Sequence, residues 1–309
     1  MKNRVATVGT FDGLHRGHRA ILERLHAIAA KEDKESMVVT FNRHPLAVIA
    51  PGRRPLWAVP RSLTLEALSA LTDHLEVIDF TPEIASLSAA DFMKLLRDNY
   101  RVDTLIMGYD NSFGSDRPSS RQAYLDAAAQ SGIRIEFVDA LSSDDATPLS
   151  SSRLRKAIES WDTPLIVDLL GDLPTYEATV IRGRQLGRKL GFPTLNLMMP
   201  DDLTPLPQGV YTASLLGISP SPHATPDLLP HPLPALLSIG SNPTVNSQSE
   251  ASYELHVPDA KLGDLYGHNL LFQPQQKIRD IHKFDSLDAL RKAIADDIIS
   301  LKNLSSSSL

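Results

Sequence analysis

The sequence predicts a doubly wound parallel α/β sheet in its first half, then a small antiparallel β-barrel closed by a C-terminal helix. Three observations carry this. Short β-branched runs alternate with helix-spaced apolar segments through the first half; strand-like runs with frequent turns follow Gly171; and the last long segment is amphipathic. At 309 residues the chain exceeds what one core usually supports, so two domains are expected, 1–171 and 172–309.

Val5–Val8 reads as the first strand, ending at Gly9. His18–Ala30 carries Ile21, Leu22, Leu25, Ile28 and Ala29 at helical spacing. Further strands are expected at Met37–Phe41, Val77–Phe80, Thr104–Met107 and Ile135–Val138, with helices at Thr64–Thr72 and Ala89–Asn99 between them. Arg153–Ser160 and Leu165–Leu170 read as helices that end this half. Strands of the second half are expected at Tyr176–Ile181, Val210–Leu216, Ala235–Ile239, Ser252–Val257 and Asn269–Phe272. Leu287–Leu301 places Leu287, Leu290, Ile294, Ile298 and Leu301 on one helical face. The proline-rich stretch 217–234 reads as a surface excursion between strands, since proline cannot donate to a ladder. The terminal SSSSL reads as a frayed tail.

The net charge of −6 argues against a general nucleic-acid binder. The chain has no cysteine, which excludes disulfides, a thiol nucleophile and thiolate metal sites. No apolar run has the length of a signal peptide or a membrane span. A cytoplasmic protein without membrane or nucleic-acid partners is therefore expected.

Gly9-Thr10-Phe11-Asp12-Gly13-Leu14-His15-Arg16-Gly17-His18 joins the first strand to the first helix. Glycines let the backbone close on a phosphate, and a helix N-terminus adds free N–H groups and the positive end of its dipole. Two histidines spaced H-x-G-H can reach the same phosphate oxygens, which suits direct transfer without a protein nucleophile. The arrangement resembles the nucleotidyltransferase signature.

Thr40-Phe41-Asn42-Arg43-His44-Pro45, Met107-Gly108-Tyr109-Asp110-Asn111-Ser112-Phe113-Gly114 and Ser150-Ser151-Ser152-Arg153-Leu154-Arg155 narrow the resemblance. So does Gly183-Arg184-Gln185-Leu186-Gly187-Arg188-Lys189-Leu190-Gly191-Phe192-Pro193-Thr194-Leu195-Asn196, with its F-P-T-x-N block. Gly209-Val210-Tyr211, Ile239–Thr244, Tyr253-Glu254-Leu255-His256 and Asp264–Gly267 follow in order. A G-x-x-x-x-G-K-[ST] loop is absent, so a P-loop kinase is excluded. Over nearly its whole length the chain resembles the bifunctional bacterial riboflavin kinase/FAD synthetase family.

The resemblance implies a nucleotidyltransferase-type domain followed by a riboflavin kinase barrel. It implies ATP and Mg²⁺, with riboflavin, FMN and FAD as substrates or products. In the first domain it implicates Gly9, Phe11, Asp12, His15, Gly17, His18, His44, Asp110, Ser151, Ser152 and Arg155 around the nucleotide. Ser150–Ser152 could equally cap a helix, and Asp110 could be a turn aspartate. In the second it implicates Gly183, Gly187 and Gly191 at the phosphates, and Thr194 and Asn196 as nucleotide and Mg²⁺ ligands. Glu254 becomes the general base, and Arg279 and Phe284 line the flavin; a solvated loop and a packing phenylalanine are equal readings of that last pair. Arg43, Asn111 and Leu195 depart from the family pattern. Retention of a single activity, or transfer to another substrate class, are the alternatives, the second disfavoured by the F-P-T-x-N barrel.

Overall fold

In the computed structural model the chain divides into two compact units, residues 1–154 with 168–171 and residues 155–167 with 172–309. The structure describes residues 2–50, 52, 55–109, 111–141, 147–183, 186–221, 226–241 and 251–306.

The first half runs β1 (Arg4–Val8), α1 (Arg16–Lys31), β2 (Glu35–Phe41), α2 (Pro45–Ile49), α3 (Arg61–Leu71), β3 (His74–Ile78), α4 (Pro82–Ser86), α5 (Ala89–Tyr100), β4 (Val102–Gly108), α6 (Arg121–Ser131) and β5 (Arg134–Val138). Helices α7 (Ser151–Ser160) and α8 (Thr163–Leu170) follow. The strands form one parallel sheet in the order β3-β2-β1-β4-β5. Leu25 and Ile28 of α1 and Leu68 of α3 cover one face, against Val5, Val38 and Ile106. Phe92, Met93 and Leu96 of α5 and Tyr124 and Ala128 of α6 cover the other, against Ala6, Met37 and Met107. With both faces covered, β2 is buried at every position from Ser36 to Phe41, as a central parallel strand must be. The chain winds outward from β1 to β3, then crosses to β4 on the other side of β1. Ligands of such sheets bind at that switch, beyond the carboxyl ends of β1 and β4.

Helix α6 escapes the apolar periodicity because alanines, Ala127 and Ala128, fill its buried face. Its ends follow the usual chemistry: the Ser120 hydroxyl accepts the Ala123 N–H, and Gly132 closes the helix at φ 70°.

The second half runs β6 (Tyr176–Ile181), α9 (Leu186–Leu190), β7 (Leu195–Met198), β8 (Gly209–Ser219), β9 (Asp227–Ser241), β10 (Ala251–His256), β11 (Asn269–Arg279) and α10 (Leu287–Ser306). The strands close a barrel in the order β10-β7-β6-β11-β8-β9, every pairing antiparallel. Tyr176, Tyr211 and Phe272 are fully buried in it.

Three expectations are corrected here. The proline-rich stretch is largely strand, since β9 starts at Asp227. Leu233 pairs with Leu215 and Leu228 with Gly217, so residues 229–232 bulge out opposite Leu216. Pro230 and Pro232 fall in that bulge, and β10 pairs with β9 only from Leu236 onward, so the prolines cost the ladder little. Second, the expected strands omit β7, whose four residues Leu195–Met198 are too few to show an alternation. Third, α10 runs to Ser306, into the expected tail, and Leu287 is 60% exposed. Its later turns pack on the barrel, with Leu301 and Ile298 against Val210 and Leu236.

Segment 155–167 packs with the barrel unit. Its Trp161, 7% exposed, donates its indole N–H to the Gln275 carbonyl at 2.7 Å and meets Tyr211 edge-on at 5.8 Å. A barrel fragment beginning at residue 155 is therefore expected to be more stable than one beginning at 172. Removing a buried tryptophan costs about 3–5 kcal/mol, which places the shorter fragment's melting temperature roughly 10 °C lower. Thermal melts of the two fragments check this; equal midpoints would show that Trp161 adds nothing to the barrel. Among the described residues no helix is long and apolar enough to cross a membrane.

Candidate functional site

Two sites emerge, one in each unit. The first lies where β1 opens into α1. Gly9, just past β1, still bonds to the sheet, its N–H donating to the Val39 carbonyl at 3.1 Å. The chain then turns through left-handed residues, Phe11 at φ 50°, Gly13 at 82° and Leu14 at 47°. Such strain persists only where packing fixes it. Phe11 and Leu14 are both buried, and a Cβ on Gly13 would lie 2.5 Å from Leu154 Cδ2.

His15 caps α1, its Nδ1 accepting the His18 N–H at 3.4 Å, which leaves the ring proton on Nε2. The rings of His15 and His18 stack at 3.7 Å and 18°. Gly17 makes room for that stack, since a Cβ there would stand 3.1 Å from two His15 ring atoms. Burial pushes His15 down to about 4. Burial, and then the neighbouring His15, push His18 well below the ordinary histidine value. Both rings are thus neutral at pH 7, and Nδ1 of His18 is buried without a hydrogen-bond partner among the described residues.

Asp12 is 1% exposed, and its carboxylate accepts the Ala58 N–H at 2.8 Å. Ser150 caps α7 by accepting the Arg153 N–H at 3.3 Å. Ser151 instead donates its hydroxyl to the Asp12 carbonyl at 3.1 Å. The serine run therefore caps the helix, and Ser151 also ties that helix start to the glycine loop. Ser152 is exposed at the same helix start, and Arg155 lies one turn further along α7. His44 caps α2, its Nδ1 accepting the Leu46 N–H at 3.2 Å, with its ring 5.1 Å from Trp57. The departures have local explanations. Asn111 donates to the Val8 carbonyl at 2.6 Å, tying the loop after β4 to the end of β1, and Arg43 faces Asp79 on the surface at 3.8 Å. Asp110 and residues 184–185 and 242–244 lie outside the described residues.

Sequence reasoning misses Arg61, the first residue of α3. Its guanidinium bonds to Thr10, Thr40 and Phe41 beside this loop. No motif or periodicity marks it.

The second site lies on β7 and β10. Asn196 and Glu254 are direct partners across the two strands. The Thr194 hydroxyl donates to Glu254 Oε2 at 2.9 Å. The three residues implicated in phosphate chemistry thus converge. Their glycines serve as seats: a Cβ on Gly183 would lie 2.2 Å from the Asn196 amide, and one on Gly187 would lie 2.3 Å from the Phe192 carbonyl and 3.2 Å from Thr194 Oγ1. Gly191 has a different reason, a φ of 90° that ends α9. His256, two residues from Glu254 on the same strand, donates Nδ1–H to the Pro193 carbonyl at 2.8 Å and meets Phe192 edge-on. The E-x-H spacing was the signal for it, because alternate strand residues share a face.

A cavity of about 620 Å³ opens beside these residues, walled by Arg188, Thr194, Asn196, Ala260, Asp264 and Tyr266. That volume suits a nucleotide-sized ligand. Among the described residues that line it, Arg188 is the cation. Neither Arg279 nor Phe284, the residues expected at the flavin, is among the described residues that line it. The Arg279 guanidinium is committed to Asp297 of α10, with Nε–Oδ1 2.9 Å and Nη2–Oδ2 2.8 Å, and lies 5.7 Å from the Phe284 ring. Asp297 is 7% exposed, so this pair fastens the closing helix to β11.

Thr194 and Asn196 supply hard oxygen donors of the kind Mg²⁺ takes alongside phosphates and water. Among the described residues no cluster of three or more His, Cys, Asp or Glu offers a closed metal cage. The donor set fits an ion that arrives with a nucleotide.

Comparison with known proteins agrees in both halves. Residues 1–153 match the FAD synthetase family model and residues 170–305 the riboflavin kinase model. A Pseudomonas fluorescens protein named bifunctional riboflavin kinase/FMN adenylyltransferase is 33% identical over 305 residues, covering 98% of this chain and 94% of the relative. An Escherichia coli K12 protein of the same name is 32% identical, covering 95% and 90%. A solved structure titled macrolide-efflux protein from Streptococcus pneumoniae superposes with a TM-score of 0.82 at 26% identity, covering 98% and 94%.

Proposed function

Because the chain belongs to the bifunctional riboflavin kinase/FMN adenylyltransferase family, we propose that its two sites divide one reaction sequence. The barrel phosphorylates riboflavin to FMN, and the parallel-sheet domain adenylylates FMN to FAD with release of pyrophosphate. One observation carries the assignment of residues: Thr194 and Asn196 line a nucleotide-sized cavity, and both meet Glu254 of β10 behind it, Thr194 through its hydroxyl and Asn196 as its strand partner.

In the barrel, Glu254 takes the proton of the riboflavin 5′-hydroxyl as that oxygen attacks the γ-phosphorus of ATP, and ADP leaves as the bond from that phosphorus to the β,γ-bridging oxygen breaks. Thr194 orients Glu254 through its hydroxyl, and His256 holds the Pro193 carbonyl that precedes Thr194. Arg188 offers charge to the nucleotide from the cavity wall. Thr194 and Asn196 would hold Mg²⁺, which when bound neutralises charge on the phosphate oxygens. Arg279 acts on the flavin side through the seating of α10, since its guanidinium is held by Asp297 and the Asp280 carbonyl, and Phe284 packs beside it.

In the first domain, the neutral His15 and His18 rings donate hydrogen bonds to the ATP phosphates at the positive end of α1. Gly9, Phe11, Asp12 and Gly17 shape the loop, and Ser151, Ser152 and Arg155 present a second helix start and a guanidinium to the triphosphate. His44 borders the nucleotide, and the family resemblance assigns Asp110 to the same ligand. The FMN phosphate attacks the α-phosphorus, and pyrophosphate leaves without a covalent enzyme intermediate. We place the enzyme in the cytoplasm, where the ATP that both reactions consume is supplied.

Chromatography of flavins after incubation with riboflavin, ATP and Mg²⁺ tests the assignment. FMN followed by FAD is expected; FMN alone would remove adenylylation, and no conversion would remove both. Gly183→Ala adds a sharper check. Its Cβ would overlap the Asn196 amide at 2.2 Å and push it from its seat. Riboflavin phosphorylation is expected to fall at least about 10-fold, the effect of losing one to two kcal/mol of nucleotide contact, with FMN adenylylation unchanged. An unaltered kinase would show that Asn196 does not hold the nucleotide.

A further inference from the structure

We infer that Arg61 is a positioning residue for adenylyl transfer, fixing the loop Gly9–Leu14, and through it the histidine pair, by tying together three segments at the carboxyl edge of the sheet. The inference rests on the adenylylation reading of the first site. Nη1 of Arg61 donates to the Thr10 carbonyl at 2.8 Å, and Nη2 donates to Thr40 Oγ1 at 2.6 Å and to the Phe41 carbonyl at 2.8 Å. Thr10 follows β1, and Thr40 and Phe41 end β2, so one planar group bridges the loop to the neighbouring strand. The guanidinium lies 4.7 Å over the Trp57 ring, which in turn stands 5.1 Å from His44. The next residue, Ala58, gives its N–H to the Asp12 carboxylate. Segment 57–61 therefore grips the loop twice, at the Thr10 carbonyl and at Asp12.

The placement is costly in other respects. A cation on the first residue of α3 faces the positive end of that helix dipole. Burial pushes Arg61 down to about 10, opposed by the nearby Asp12 carboxylate, and its Nε is buried without a partner among the described residues. An arginine pointing to solvent would escape both penalties. The fork geometry explains the choice of side chain, because a lysine ammonium is a single point and cannot span Thr10 and Phe41 with the same planarity.

The test uses the full chain with Arg61→Met and Arg61→Lys, measuring both activities in each preparation, together with hydrogen exchange. Arg61→Met is expected to lower the rate of FAD formation from FMN about 100-fold, the scale of a loop misplaced by an ångström. Riboflavin phosphorylation is expected to stay within twofold, and Arg61→Lys to fall between the two. Amides of residues 9–14 and 57–61 should exchange faster while β1, β2 and β4 keep their protection. An unchanged FAD rate in Arg61→Met overturns the proposal. So does exchange that rises through the whole sheet, which would make Arg61 a general structural tie. If the wild-type chain forms FMN but no FAD, the adenylylation reading fails first and the proposal falls with it.

Discussion

Glu254→Gln is expected to abolish FMN formation from riboflavin while the conversion of supplied FMN to FAD persists. The substitution is close to isosteric, and glutamine keeps a carbonyl oxygen able to accept the Thr194 hydroxyl, now at 2.9 Å from the carboxylate. The ladder pairing of position 254 with Asn196 runs through the backbone and survives. What is lost is the ability to take a proton. General-base contributions run to roughly 10²–10⁴-fold, so kcat for phosphorylation should drop by about 10³ with the KM for MgATP little changed. Thr194→Val is the informative companion, because it removes an oxygen donor and leaves the carboxylate without its orienting hydroxyl. There the KM for MgATP should rise as kcat falls. Steady-state kinetics on riboflavin and on FMN separately check both. Equal loss of the two activities in Glu254→Gln would show that the sites are not independent, and retained phosphorylation would move the base elsewhere.

The parts legible in the sequence are those in which unusual residue types crowd one strand–helix junction or one short strand. His15, Gly17 and His18 stand next to each other, and the structure uses all three in one stack. Thr194, Asn196 and Glu254 announced themselves as pieces of two blocks, although only the barrel pairing shows that they meet. The supporting residues were not legible because their partners are remote. Arg61 reaches Thr10 across 51 positions of sequence, from just ahead of the expected helix Thr64–Thr72. Arg279 resembles a flavin contact by position, but its partner Asp297 is 18 residues away on the buried side of a helix whose apolar spacing drew attention first. The proline-rich stretch failed in another way. The rule that proline avoids ladders is sound, but a bulge and an open edge let Pro230 and Pro232 sit within β9 without breaking it.

His18→Ala is the converse prediction: FMN should accumulate from riboflavin and ATP, with FAD formation lowered by about 10²–10³, the cost of removing one preorganised donor from a developing phosphate charge. The geometry says why a neutral ring can do this. Two stacked imidazolium rings 3.7 Å apart would repel, and burial disfavours the charged form of each. His15 spends its Nδ1 on the His18 N–H and keeps Nε2–H to donate, while Nδ1 of His18 lacks a partner in the described structure. The stack is therefore a pair of fixed neutral donors at a helix N-terminus, needing no charge of its own because the helix dipole already favours an anion there. Loss of His18 removes one donor and lets the His15 ring, now unstacked, leave its seat over Gly17. His15→Ala should cost at least as much, since it also deletes the cap of α1. Flavin chromatography over time, with riboflavin phosphorylation in the same tube as the control for folding, reads the outcome. FAD formed at the wild-type rate by His18→Ala would take the histidine pair out of the reaction and leave the phosphates to α7 and Arg155.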